Sequence, residues 1–132
     1  MIATLRFQVG LLATLQSLLF LNNATLIAVN VLAGAPPMDQ FSREQCLDVL
    51  TKNVVYAATE LASVECRVVI EAINTRDSPK FFLSRTSESL EVVARANHPN
   101  LGIEYDIYHM SIMGEDVVDQ IARHKSLIGN IQ

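Results

Sequence analysis

Glu71, Asp106 and Gln132 each close a short apolar run: Val68–Val69–Ile70–Glu71, Ile103–Glu104–Tyr105–Asp106 and Leu127–Gln132. Runs of this kind read as strands. Polar side chains at the carboxyl ends of parallel strands project into the region where α/β folds build their sites. Two carboxyl groups and an amide oxygen drawn from three strand ends make an oxygen-rich donor set, which suits a divalent ion such as Mg²⁺ or Mn²⁺. His109 follows Asp106 by three residues, so the spacing Asp106-x-x-His109 brings both side chains toward one substrate. Taken singly, each residue has an ordinary structural alternative, because a strand-end Glu or Asp commonly caps the next helix or pairs with an arginine. His98 and His124 read as loop and helix-surface residues, Glu104 as structural, and Met110 and Met113 as packing residues.

Four short apolar segments must carry these groups: Thr25–Leu32, Arg67–Ile73, Leu101–Ile107 and Leu127–Gln132. They are rich in β-branched residues and mostly lack in/out alternation, as expected of strands buried on both faces. Amphipathic stretches lie between them. Ser42–Ala62 places Cys46, Leu47, Leu50, Val54, Ala57, Ala58 and Leu61 at helical spacing, and Ser42 with Gln45 has the form of a capping box. Thr86–Ala96 sets Leu90, Val93 and Ala94 on one face, and Glu115–Arg123 turns Val117, Val118 and Ile121 inward. Gly34 with Pro36–Pro37, Asp77–Ser78–Pro79 and His98–Pro99–Asn100 mark loops. This alternation is a run of βαβ units with a parallel sheet, either an open doubly wound sheet or a (β/α)₈ barrel. No glycine-rich phosphate loop follows any strand, which weakens a nucleotide-binding reading.

The chain has 132 residues, half of them apolar, a formal charge of −4 and no Lys/Arg cluster. That composition builds a globular core and argues against a nucleic-acid surface. Cys46 and Cys66 lack metal-ligand spacing and read as reduced thiols of a cytoplasmic protein. Met1–Ala35 is strongly apolar, with Arg6 near its start and Ala33–Gly34–Ala35 near its end, the outline of a signal peptide. Gln16, Ser17, Asn22 and Asn23 interrupt it, and no run of about 18 clean apolar residues is present, so no membrane span is expected. Two buried elements are expected instead, a helix over Phe7–Phe20 and the strand at Thr25–Leu32.

The strings VVIEAIN (Val68–Asn74) and YDIYHM (Tyr105–Met110) resemble the hydroxypyruvate isomerase family, and YDIYHM is close to a signature. Further similarity covers VLAGAPP (Val31–Pro37), NVVYAA (Asn53–Ala58), PKFFLSRTSES (Pro79–Ser89) and IGNIQ (Ile128–Gln132). The family lies within the xylose isomerase-like barrels. The resemblance implies a single partial (β/α)₈ TIM barrel domain over residues 1–132, with four parallel strands like strands four to seven of the full barrel. It also implies a metal-dependent isomerase that interconverts hydroxypyruvate and tartronate semialdehyde through an enediol. Glu71 matches a metal-ligating and catalytic glutamate, Asp106 and Gln132 match two further metal ligands, and His109 matches the histidine that contacts a substrate oxygen. The family pattern has His where this chain has Asn130 and Gly where it has Lys80.

A complete barrel needs about 250 residues, so the expectation is a fragment whose sheet leaves two open edges. Such edges invite pairing, as a homo-oligomer or with a complementary barrel piece, and predict a poorly stable isolated chain. The substrate expected is a small hydroxy-carbonyl acid. Alternatives are a 2-oxo-tetronate or other small ketose or oxo-acid isomerase, and a non-catalytic remnant that assembles with a full-length paralogue. An endonuclease of the same superfamily is disfavoured by the acidic charge.

Overall fold

The computed structural model describes residues 28–132. The helix expected over Phe7–Phe20, the question of a signal segment, and the first part of the strand expected from Thr25 lie outside the described residues. Four strands, β1 (Ala28–Val31), β2 (Arg67–Glu71), β3 (Leu101–Tyr105) and β4 (Ile128–Ile131), form one sheet in the order β1-β2-β3-β4, every neighbouring pair parallel. Spatial order follows chain order without reversal. A doubly wound sheet reverses at its switch point, whereas a barrel adds each strand beside the last, so the topology is that of a partial (β/α)₈ barrel.

The first crossover is α1 (Arg43–Ala62). Ser42 Oγ accepts from the Gln45 amide at 3.2 Å and Gln45 Oε1 accepts from the Ser42 amide at 2.9 Å, the reciprocal capping box expected from sequence. Cys46, Leu47, Leu50, Val54, Ala57, Ala58 and Leu61 are all buried, the stripe a 3.6-residue period requires. The second crossover is α2 (Thr86–Ala96), closed by Asn97 in the left-handed region at φ 44°, whose amide bonds the Val93 carbonyl. Here the buried face is Thr86, Ser89, Val92 and Val93, while Ala94 is exposed and Leu90 only partly buried. The third connection holds α3 (Ile107–Ile112) and α4 (Val117–His124).

Two expectations are corrected in this last stretch. The strand expected to run to Ile107 stops at Tyr105, because Asp106 turns the chain by capping α3. The helix expected from Glu115 begins at Val117, because Glu115 accepts from the Thr86 amide at 3.1 Å, and Val118 is 79% exposed instead of facing inward.

Alternation along the strands separates two faces. Val68, Ile70, Leu101, Ile103 and Tyr105 join the α1 and α2 stripes in one core cluster with Leu47, Val54 and Val92. Arg67, Val69, Glu71, Gly102 and Glu104 occupy the opposite face. A Cβ on Gly102 would stand 2.6 Å from the Leu127 carbonyl and 2.8 Å from the Arg67 guanidinium, and one on Gly129 only 2.5 Å from Val69 Cγ1. These two glycines give the Arg67 side chain its room across β3 and β4.

Candidate metal and substrate site

Glu71 ends β2 and Asp106 follows β3, so adjacent parallel strands deliver both carboxyl groups to the same carboxyl-terminal rim of the sheet. Both are buried, at 6% exposure. One ligand atom each from Glu71, Asp106 and His109 lie within 4.8 Å of one another. His109 Nε2 is 3.8 Å from Glu71 Oε1 and 3.7 Å from Asp106 Oδ2. Among the described residues no Arg or Lys pairs with either carboxyl group. Buried acids are ordinarily matched by a cation.

Local structure divides the oxygens of each acid. Asp106 Oδ1 accepts from the His109 amide at 2.7 Å and so caps α3, which leaves Oδ2 toward the cluster. The helix-capping alternative for this residue and its place in the cluster therefore coexist. Glu71 Oε2 accepts from Asn30 Nδ2 at 2.6 Å, leaving Oε1 toward His109. Asn30 lies on β1, and its Oδ1 is buried without a hydrogen-bond partner among the described residues. Gln132 follows β4 and is exposed; its main chain bonds Tyr105 O at 3.1 Å and Ile107 N at 2.8 Å, on either side of Asp106. The structure thus gathers three of the four residues singled out from sequence and sets the fourth at the neighbouring strand end.

Further residues at the site carried no ligand or catalytic assignment in the sequence. The sheet register aligns Glu71 with Glu104, and Glu104 with Asn130. Burial holds the Glu104 carboxyl above the usual glutamate range and repulsion from Glu71 adds to this; Asn130 opposes it by hydrogen bonding, and Asp106 raises it a little more. Asn74, fully buried, donates to Asp77 Oδ2 at 2.9 Å and contacts His109 Nδ1 at 2.7 Å. The Asn74 amide, followed by the Tyr108 hydroxyl, holds the Asp77 carboxyl below its usual range. The lone polar residue within the apolar run that forms β1 was the available signal for Asn30, and Asn74 stood within VVIEAIN without a role. A separate open cleft of about 770 Å³ lies between the loops at Ala35–Asp39 and Pro79–Phe82, and none of the cluster residues lines it.

No helix among the described residues is long and apolar enough to cross a membrane. Residues 20–132 match the family model described as xylose isomerase-like TIM barrel. The chain is 35% identical over 104 residues to a 2-oxo-tetronate isomerase of Cupriavidus necator and 36% identical over 104 residues to a hydroxypyruvate isomerase of Escherichia coli; each alignment covers 79% of this chain and 40% of the relative. It thus spans about two fifths of the length of these relatives. The crystal structure of an AP endonuclease, family 2, from Brucella melitensis superposes with a TM-score of 0.79 at 25% identity, over 91% of this chain and 45% of that one. Parallel strands laid down in chain order, acids at their carboxyl ends and a match through most of the sequence converge, and the chain belongs to the xylose isomerase-like TIM barrel family.

Proposed function

We propose that this chain carries the metal- and substrate-binding part of an isomerase that interconverts hydroxypyruvate and tartronate semialdehyde. One observation carries the reading: Glu71 and Asp106, both buried, converge with His109 and have no Arg or Lys partner among the described residues. The two carboxyl groups, with Asn30 Oδ1 beside them and without a hydrogen-bond partner among the described residues, fit a hard divalent cation, Mg²⁺ or Mn²⁺. Glu71, Asp106 and Gln132 would hold it. When bound, such an ion polarises a carbonyl and its neighbouring hydroxyl, stabilising negative charge on oxygen.

The chain's own groups supply the rest. Asn30 pins one oxygen of Glu71 and so orients the other toward the substrate position. Glu71 then acts as one of the carboxylates that take a proton from one carbon of the α-hydroxy carbonyl and return one to the next, through an enediol. His109 contacts a substrate oxygen. The relatives named for hydroxypyruvate and for 2-oxo-tetronate match equally well over stretches of the same length, so both substrates belong in the assay.

The test is isomerisation of hydroxypyruvate and of 2-oxo-tetronate by the purified chain with added Mg²⁺ or Mn²⁺, alongside calorimetric titration of each ion. Glu71→Gln is expected to lower turnover about 10²–10⁴-fold, the usual contribution of a general acid–base group, without loss of helical signal. Undiminished turnover in that variant would remove Glu71 from the reaction. A folded chain that binds neither ion would remove the metal.

A further inference from the structure

His109 is the one member of the cluster whose chemical character is not set by its residue type, because a neutral imidazole carries its hydrogen on either nitrogen. Its neighbour Asn74 has no such freedom. Asn74 Oδ1 accepts from the Asp77 amide at 2.8 Å, and Nδ2 donates to Asp77 Oδ2 at 2.9 Å. Turning the amide over would set its carbonyl against a carboxylate and its NH₂ against an N–H, two repulsions in a fully buried position. Asp77 is itself held in place by Tyr108, whose hydroxyl donates to Oδ2 at 2.8 Å while accepting from Arg76 at 2.9 Å. The second Nδ2 hydrogen of Asn74 therefore points at His109 Nδ1, 2.7 Å away.

We infer that Asn74 is a positioning residue that fixes His109 as an Nε2–H donor, so that His109 meets an acceptor oxygen of the ligand instead of joining the metal ligands. A nitrogen that accepts a hydrogen bond presents its lone pair, so Nδ1 is bare and Nε2 bears the hydrogen. Nε2 faces Glu71 and Asp106 at 3.8 and 3.7 Å, too far for a direct hydrogen bond to either. Its hydrogen is consequently uncommitted within the cluster. A metal ligand needs the opposite arrangement, a lone pair on the nitrogen that faces the ion. The group recognised is a carbonyl, hydroxyl or carboxylate oxygen. Donation to a substrate oxygen rests on the isomerase reading above; the tautomer does not.

The experiment labels the histidines of the full chain with ¹⁵N and reads each tautomer by long-range ¹H–¹⁵N correlation, at a pH where the imidazoles are neutral. His109→Gln identifies the signal. His98, whose Nδ1 accepts from the Asn100 amide at 3.1 Å, is an internal Nε2–H reference. The expected result is Nε2–H at His109, switching to Nδ1–H in Asn74→Asp, where the new carboxylate accepts and cannot donate. Asn74→Ala is expected to give a mixture of the two forms. An Nδ1–H signal in the parent chain overturns the inference, as does a folded Asn74→Asp variant that keeps Nε2–H. Should the variants fail to fold, an Nδ1–H signal in the parent spectrum still overturns the inference. An Nε2–H parent chain without turnover would count against the isomerase reading and leave the tautomer standing.

Discussion

Glu104 sits one strand from Glu71 on the same sheet face and in register with it, so two acids share a partly desolvated surface. Its carboxyl is held above the usual glutamate range by burial first and by Glu71 next. The sign of the consequence follows from linkage. A group whose folded pKa is raised contributes stability that is fully present below its unfolded value and is lost as pH rises through the raised one. Glu104→Gln removes the group that must ionise there. It is expected to stabilise the metal-free chain at neutral pH by roughly 0.5 kcal/mol, a figure kept small because Glu104 is partly exposed and solvent screens it. Thermal melts at pH 4 and pH 7 check this: the variant should gain at pH 7 and not at pH 4, and an equal effect at both would show that charge is not the cause. Sequence reading takes Glu104 as structural because a doubly buried strand has no alternation to read. Only register with Glu71 decides its face, and register is a property of two strands.

Elements were legible where a local chemical rule governs them. Ser42 and Gln45 specify the start of α1 by themselves, since the reciprocal bonds at 3.2 and 2.9 Å are made within one turn. Ser42→Ala is expected to destabilise the chain by about 1 kcal/mol through the loss of that cap, read as a lower urea midpoint with unchanged slope. A null effect would mean that tertiary packing of the Leu47, Leu50 and Val54 stripe alone fixes the helix start. Boundaries that depend on distant partners were not legible. Asp106 ends β3 early because its side chain caps α3, yet the apolar letters continue through Ile107 and read as one strand. Glu115 stays out of α4 because Thr86, on α2, holds it. With α4 starting at Val117, Val117 and Ile121 pack against the core and Val118 turns outward. The candidate site divides in the same way. Glu71, Asp106 and His109 were visible as strand-end letters, whereas Asn30 and Asn74 take their places only through contacts to Glu71 and His109 across 41 and 35 residues of sequence.

Across the whole molecule, one sheet face is covered by α1 and α2, and the other carries the Glu71, Glu104 and Arg67 row. Arg67 crosses that second face over Gly102 and Gly129, and its Nε is buried without a hydrogen-bond partner among the described residues. Among the described residues, β1 and β4 each pair on one side only. Exposed apolar side chains stand at both of these outer strands, Leu32 just past β1 at 55% and Ile131 in β4 at 49%. Parallel edges of this kind present unpaired N–H and C=O groups to any neighbouring chain, and the Arg67 face offers a cationic group for a carboxylate to meet. The 132-residue chain is therefore expected to associate. Sedimentation velocity over a hundredfold concentration range should show a species larger than the monomer that dissociates on dilution. Adding charge at an edge, as in Ile131→Lys, should shift that equilibrium toward monomer while leaving the buried core untouched. A monomer at every concentration, melting in a single sharp transition, would show that the outer strands are satisfied within one chain.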